Sequence, residues 1–497
     1  MDRELFEHHL ISRHGHGRAP AGAALGVAGT RLCGDVVRVA LALDAGGTRV
    51  GALGWEAEAC GATLAALSAT AELVEGMELR AAARLGAHDL AEQLGGLSAG
   101  KFHAAELVAD ALARALGTAV REQGALPGPA DGERTLVAMS GGVDSAVVAL
   151  LAGRDGGDAV AVTLELWADE ENDGERSCCS AQAVRHARAL AHRMGLPHFT
   201  LDLRAEFRAG VVDPFLEDHR AGLTPNPCIR CNGHVRLDAM LDFADRLGAA
   251  TLATGHYARV EAGAGDGAPP LLRAAVDAWK DQTYMLAALA PGSLARMRFP
   301  LGELTKPQVR ALAAEAELPV ASKPDSQDLC FLAGTSRSEF LVRHAGIEQQ
   351  PGEIVDSSGR VLGRHRGHQG YTVGQRRGLG VAAEEPLYVL RTEAAGNRVV
   401  AGPRAELETT SVPLRGARLH RDGARVDRVK LRYRAKPLPA RLVGEPAAGA
   451  HRRLEVALEQ PVDGAAPGQL ACLLDGDVVI GWATIDRPPL AQSSSSG

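Results

Sequence analysis

The sequence predicts a multidomain fold: an α+β domain, an α/β domain on a parallel sheet, a small central β domain and a C-terminal β-barrel. Three observations carry that expectation. The chain has 497 residues, too many for one ordinary hydrophobic core. Between about residues 131 and 345, apolar runs of strand length alternate with helical stretches, the pattern of a parallel sheet with ligands at its strand C-termini. From Pro351 onward the pattern changes to short strands separated by glycine turns.

Composition and charge narrow the class. With 46% hydrophobic and 23% charged residues, the chain has the make-up of a globular protein. No apolar run approaches a membrane span and Met1-Asp2-Arg3-Glu4 lacks a signal-peptide pattern, so no membrane partner and a cytoplasmic location are expected. A net charge of −7 argues against nonspecific nucleic-acid binding by the whole surface. Between Arg415 and Arg453, however, Arg418, Arg421, Arg425, Arg428, Lys430, Arg432, Arg434, Lys436, Arg441 and Arg452 face few acids, which makes either an RNA-binding face or a solvated β-surface. The eight cysteines are too few for a disulfide scaffold in so long a chain; the clustered ones suit metal ligation or sulfur chemistry.

Residues 1–130 read as the α+β domain. Val36 to Leu43 is a strand, Asp44-Ala45-Gly46-Gly47 a turn, and Thr48 to Ala59 the returning strand. Helices are expected over about Thr63 to Glu75, near Glu78 to Ala83, and over about His103 to Arg121. Cys33 and Cys60 each lie beside a glycine turn, and Cys60 also precedes a helix start, which favours its thiolate. His8, His9, His14 and His16 lie in a glycine-containing stretch and read as solvated; Gly124 to Pro129 reads as a linker.

The α/β domain, residues 131–345, opens on the most informative stretch of the chain. Leu136-Val137-Ala138-Met139 suits a buried strand, Ser140-Gly141-Gly142-Val143-Asp144-Ser145 a turn, and Ala146 to Leu151 a helix. Glycines let backbone N–H groups approach phosphate oxygens, and the helix dipole favours negative charge there. The spacing is neither that of a Walker loop nor that of a GxGxxG dinucleotide turn. Further strands are expected at Ala159 to Trp167, His198 to Leu203 and Ala250 to Ala253, with a helix at Ala181 to Met194. Thr254-Gly255-His256-Tyr257 falls at a strand end, as a plain turn or a nucleotide contact. In Thr224-Pro225-Asn226-Pro227-Cys228-Ile229-Arg230-Cys231-Asn232, prolines rigidify the approach and the CxxC spacing brings two thiols within reach of one metal or of one another. A zinc knuckle completed by Cys178 and Cys179 is the alternative there. Lys323-Pro324-Asp325-Ser326-Gln327-Asp328-Leu329-Cys330-Phe331 adds another thiol, and three thiolates leave one iron of a 4Fe-4S cluster open for sulfide.

The hexapeptide resembles the pyrophosphate loop of N-type ATP pyrophosphatases, which split ATP between its α and β phosphates. The motifs together, in order from that loop to about Asp486, resemble the tRNA-specific 2-thiouridine synthases of the MnmA/TrmU family. The resemblance implies that Ala138, Met139, Ser140, Gly141, Gly142, Val143, Asp144, Ser145, Leu164 and Gly255 bind ATP, with Mg2+ held with help from Asp144. It implies that Asn226, Pro227 and Cys228 face the target base, that His256, Lys280, Asp281 and Gln282 contact tRNA, and that Arg432, Tyr433 and Gln469 lie near the anticodon. Cys231 would be the nucleophile and Cys330 the persulfide carrier. Members of one type have Asp at the position of Cys228; with Cys228, Cys231 and Cys330 all present, this sequence resembles the branch in which three cysteines hold a 4Fe-4S cluster. The Cys178-Cys179 pair often accompanies that branch. The implied reaction adenylates the C2 oxygen of the wobble uridine and replaces it with sulfur.

Over residues 1–130, Cys33-Gly34-Asp35, Cys60-Gly61 and Lys101-Phe102-His103 resemble the NifU or IscU type of iron-sulfur scaffold. That family has a third cysteine directly after the histidine, where this chain has Ala104. The implied metal site is Cys33, Asp35, Cys60 and His103. Three readings stay open: a cluster or metal site, a docking module for a sulfur donor such as a cysteine desulfurase or sulfur carrier, or a relic that only packs.

The small central domain is expected over residues 346–411, with strands at Gly352 to Val355 and Arg360 to Leu362, and the barrel over 412–490, with strands at Val429 to Arg434 and Val478 to Ile485. Cys472, in an apolar strand, reads as core, and Ala491 to Gly497 as a disordered tail. Two other functions are compatible with the motifs: a pyrophosphatase adenylating a small carboxylate or amide, and an iron-sulfur carrier whose ATP loop gates cluster transfer.

Overall fold

The computed structural model describes residues 2–29, 34–168, 181–263, 268–325, 329–332, 334–348 and 350–487. Cys33, Cys178, Cys179, the Ser326 to Asp328 stretch and the C-terminal tail lie outside the described residues. The chain divides into two compact units: Met1–Ala205 with Leu237–His256 and Arg296–Ala333, and Glu206–Arg236 with Tyr257–Ala295 and Gly334–Gly497.

The first unit begins with a helix, Arg3–Ser12, whose first turn is capped by the Asp2 carboxylate accepting from the N–H groups of Glu4 and Leu5. An antiparallel sheet follows, β1 (Ala24–Gly29), β2 (Val36–Leu43) and β3 (Val50–Glu58). The first helix and β1 fall outside the expected elements, and they correct the reading of His9 as solvated, whereas His8 and His16 are exposed. His9 is buried, its Nδ1 3.3 Å from the Ser68 hydroxyl on the helix Gly61–Val74. Tertiary packing thus orders a stretch that is locally weak in helix signal.

The same unit holds a parallel sheet of β4 (Thr135–Ala138), β5 (Ala159–Glu165), β6 (His198–Asp202), β7 (Thr251–Ala253) and β10 (Met297–Arg298), in the order β10-β7-β4-β5-β6. Every residue of β5 is buried, as a strand covered on both faces requires. The chain steps from β4 out to β6 and then returns to β7 on the other side of β4. The C-terminal ends of β4 and β7 therefore flank a topological switch point, where such sheets bind ligands.

A long helix, Phe102–Gln123, joins the antiparallel and parallel sheets. A Cβ at Gly117 would sit 1.8 Å from the Thr200 carbonyl oxygen, so glycine is what lets this helix lie on β6. Asp110 accepts from Arg185 at 2.5 Å and from Arg188, and Arg114 grips the buried Glu165 carboxylate at 2.5 Å. The expected linker is likewise tied down: the Ala125 N–H donates to the Gly47 carbonyl at 3.1 Å and the Leu126 N–H to the Arg246 carbonyl at 3.0 Å.

The second unit contains β11 (Gly352–Val355), β12 (Val361–His365), β13 (Tyr388–Glu393) and β14 (Arg398–Gly402), in the order β12-β11-β14-β13. Its larger part is a closed barrel of β15 (Glu408–Leu419), β18 (Gly449–Asp463), β17 (Leu438–Leu442), β16 (Arg428–Lys430), β19 (Leu470–Asp475) and β20 (Val478–Ile485), shut by the β15–β20 pairing. Strands β9 (Leu271–Arg273) and β8 (Arg259–Glu261) extend it from β20. Val412, Leu414, Val429, Val456, Leu473 and Ile485 fill its core. The strand expected to run to Arg434 leaves the sheet after Lys430, so Arg432 and Tyr433 stand on a turn. Lys430 itself is withdrawn from the expected basic face, because its ammonium is buried against Asp281 at 3.1 Å.

Candidate functional site

In the first unit the turn after β4 is shaped by its own residues. Gly141 has φ +68°, a left-handed conformation that favours glycine. The Ser140 N–H donates to Ser145 Oγ at 3.1 Å, and that hydroxyl donates to the Gly142 carbonyl at 3.1 Å. The loop is closed onto the start of the helix Val143–Ala152, which carries Asp144 in its first turn. The loop after β7 reaches the same place: a Cβ on Gly255 would lie 3.0 Å from the Ser145 nitrogen. Beside it, Thr254 Oγ1 and His256 Nδ1 are 2.8 Å apart. Ala138, Met139, Val143 and Leu164 are buried, so their side chains serve as walls.

Two cations that sequence reasoning missed, Lys306 and Lys323, reach this loop, and a third, Arg310, meets Asp325 beside them. Lys306, 8% exposed, places its ammonium 2.8 Å from both oxygens of Asp144 and 2.8 Å from Asp325. Lys323 donates to the Gly141 carbonyl at 3.0 Å, and Arg310 lies 3.3 Å from Asp325. The signal available in sequence was Thr305-Lys306-Pro307-Gln308, a capping box with proline in the first turn. It announces a helix but does not say which carboxylates that helix meets. Cys330 lies in a helical turn, Cys330–Leu332, whose Phe331 ring is 6.4 Å from that of Trp167.

In the second unit, Asn226 caps the short helix Pro227–Arg230 and a π-helical turn, Cys231–Arg236, follows. Such turns recur at functional sites because they re-aim side chains. Cys228 is partly exposed and Cys231 buried. The segment is braced on both flanks. Gln469 Nε2 donates to the Thr224 carbonyl at 2.7 Å, and Asn232 Nδ2 to the Met285 carbonyl at 3.3 Å. Tyr433, with its ring 6.5 Å from that of Tyr284, feels the charges of Arg434, Lys280, Asp281 and Cys228. Burial is the main cause that pushes its hydroxyl above the usual range. The structure thus gathers Cys228, Lys280, Asp281 and Tyr433 in one neighbourhood.

Asp281 and Gln282 are turned inward. Asp281 accepts from Lys430 and from the Thr283 hydroxyl at 2.9 Å, while Gln282 and Tyr257 exchange hydrogen bonds at 2.9 and 3.0 Å. They hold the backbone that presents Lys280. Cys472, expected to be core, is fully buried, and its thiol is pushed up to about 12.

The N-terminal residues assemble a separate site within the first unit. Cys60 caps the helix Gly61–Val74, and its N–H donates to Asp35 Oδ1 at 3.2 Å. Thr63 donates to the other Asp35 oxygen at 3.0 Å, and His103 Nε2 lies 3.9 Å from Cys60 Sγ. One ligand atom from each of Asp35, Cys60 and His103 lies within 4.8 Å of the others, close enough for one cation. Ala104 is fully buried, so the position of a third thiol in the scaffold family is filled by core methyl.

A glycine cradle at the switch point of a parallel sheet, joined to a carboxylate–thiol–imidazole site, defines a pyrophosphate-loop protein that carries a scaffold-like domain. Family models agree domain by domain. A NifU-like N-terminal domain matches residues 3–123, a tRNA methyl transferase HUP domain 133–334, a tRNA methyl transferase PRC-barrel domain 338–403, and an aminomethyltransferase beta-barrel domain 418–485. A bifunctional protein NifU/MnmA of Rubrobacter xylanophilus is 44% identical over 96% of this chain and 97% of that protein. The tRNA-specific 2-thiouridylases MnmA of Rhizorhabdus wittichii and Methylorubrum extorquens are each 44% identical, over 73% and 75% of this chain and 94% and 98% of theirs. The chain belongs to the bifunctional NifU/MnmA family.

Proposed function

We propose that this protein is an ATP-dependent tRNA sulfurtransferase that converts the wobble uridine of the anticodon to 2-thiouridine. The observation that carries the reading is the charged cradle at the switch point, where the loop of Ser140 to Ser145 meets Lys306 and Lys323. A cradle of that kind suits a reaction that expels pyrophosphate. The C2 carbonyl of uracil is a poor electrophile without a leaving group. Attack of its oxygen on the α-phosphorus of ATP releases pyrophosphate and makes the oxygen part of AMP. A sulfur nucleophile then adds to C2, and AMP departs with the former carbonyl oxygen.

Ala138 to Ser145, Leu164 and Gly255 form the ATP subsite, with Lys306 and Lys323 offsetting charge on the pyrophosphate. The carboxylates of Asp144 and Asp325 suit a divalent cation and would hold Mg2+, which supplies further charge neutralisation when bound. Asn226, Pro227 and Cys228 face the base; His256, Lys280, Arg432, Tyr433 and Gln469 hold the tRNA, with Asp281 and Gln282 bracing Lys280. A base within a stem-loop must be splayed out to be reached. Cys231 and Cys330 handle the sulfur, and by residue type Cys228, Cys231 and Cys330 are the three thiolates that would suit a 4Fe-4S cluster. The N-terminal site receives sulfur or an iron-sulfur unit from a donor protein such as a cysteine desulfurase. Among the described residues no helix is long and apolar enough to cross a membrane.

The test is mass spectrometry of nucleosides from unmodified tRNA incubated with ATP, sulfide and the anaerobically reconstituted protein, beside its Cys228→Ser variant. Thiouridine from the wild type alone supports a cluster-dependent thiolase. Thiouridine from both, with a persulfide donor in place of sulfide, assigns the sulfur to Cys231 and Cys330, since sulfide alone becomes a persulfide only with an oxidant. Its absence from both, with a persulfide donor added, overturns the reading.

A further inference from the structure

We propose that Trp279 is a stacking subsite for an unpaired base of the tRNA, an inference that rests on the tRNA reading above. The indole is 96% exposed, whereas Trp55 is 1% exposed and Trp167 and Trp482 are half-buried. Its mount is rigid. The Asp277 carboxylate accepts from the Trp279 N–H at 3.0 Å and from the Lys280 N–H at 3.2 Å, and the Lys280 N–H also reaches the Asp277 carbonyl at 3.1 Å. Immediately beyond, Asp281 is anchored in the interior by Lys430 and Thr283, and Gln282 is clasped to Tyr257. A side chain on so fixed a backbone loses little entropy when a partner covers it.

The surroundings name the partner. Lys280 follows directly in sequence, its charge acts on Tyr433, and the Arg434 guanidinium lies 6.0 Å from the Tyr433 ring centroid. Arg432 and Arg434 are exposed. Aromatic faces interleaved with cations are the composition that holds single-stranded nucleic acid, bases on the rings and phosphates on the cations. A protein interface would need a broader apolar core than Trp279 and the half-exposed Val276 provide. The subsite takes any base, since every base has a π-face, and it helps keep the loop unstacked while the target uridine turns toward Cys228. Trp279 acts on binding and touches none of the reacting atoms.

The experiment titrates unmodified tRNA into the full-length protein at fixed salt, following tryptophan emission and affinity for the wild type, Trp279→Phe and Trp279→Ala. Wild-type emission is expected to be quenched on binding, and most of that quench to vanish in Trp279→Phe, whose affinity stays within about threefold because a ring remains. Trp279→Ala is expected to weaken tRNA binding about tenfold and to raise KM without lowering kcat. A fully paired RNA duplex of equal charge should bind without the quench. Equal affinity of Trp279→Ala and wild type, or an equal quench by the duplex, overturns the inference while a wild type that still binds and thiolates tRNA leaves the enzyme reading standing. A wild type that binds no tRNA overturns both.

Discussion

The N-terminal site and the cysteine segment of the second unit both put a thiol at the edge of a helix, and they differ in what shares its space. Cys60 stands half-exposed at the cap of a 14-residue helix, faced by a carboxylate and an imidazole. Cys228 lies within a helix of 4 residues and Cys231 directly follows it, the segment braced by Asn226 and Asn232, with cations and Tyr433 close by. The first arrangement suits taking a cation or a sulfur atom from a visiting donor. The second suits acting on a docked polyanion. Cys472 supplies the contrast: in the barrel core burial pushes its thiol up to about 12, which disfavours the thiolate.

The largest expected effect tests that division directly. Cys231→Ser should lower thiouridine formation about thousandfold or more, while Cys60→Ser, assayed with sulfide as sulfur source, should stay within about twofold. Nucleoside mass spectrometry reads both, and an equal loss in the two variants would erase the distinction between them. Next comes the attachment of the N-terminal site to the catalytic sheet. Arg114→Ala strands the buried Glu165 carboxylate and should cost about 3 kcal/mol in urea unfolding. An unchanged midpoint would mean that the long helix is held by packing at Gly117 and the Asp110 pairs alone.

Lys306→Met should reduce AMP formation about hundredfold and weaken inhibition by added pyrophosphate, with AMP binding kept. Lys306→Arg should recover part of both, and unchanged pyrophosphate inhibition would remove Lys306 from the cradle. The smallest effect separates the two units by pH. Burial, helped by the charges of Arg337 and His368, pushes His219 in the second unit down to about 4, against about 6.5 for an unfolded histidine. Between those values the unfolded chain binds a proton that the folded one does not. Stability therefore falls as pH drops from 6.5 toward 4, by about 2 kcal/mol at pH 5. His219→Gln should remove that slope from the second unit's unfolding transition. It should leave that of the first unit, where burial holds His198 neutral, unchanged.

Much of this architecture was legible because its signals are local. Strands β2, β5 and β20 announce themselves by apolar runs between turns, and the hexapeptide after β4 specifies a phosphate cradle within six residues. The helix Arg3–Ser12 was not legible: its place is fixed by contact with Ser68, 59 residues from His9. The same holds for the basic stretch around β16, which alternates convincingly in sequence. Lys430 leaves that face because Asp281, 149 residues away, offers a buried partner.

By itself the sequence determined the order of the domains, the pyrophosphate loop, the CxxC segment and the loss of a third thiol at Ala104, since each depends on residue type at short spacing. Only the tertiary structure decided which lysine meets Asp144 across 162 residues, which polar groups turn inward, and that the scaffold-like domain is gripped by the catalytic sheet through Arg114 and Gly117 and by the helix Ala181–Arg193 through Asp110. The reason is physical: a charge or a glycine commits to its role through the partner that burial brings to it, and distance along the chain carries no record of that partner.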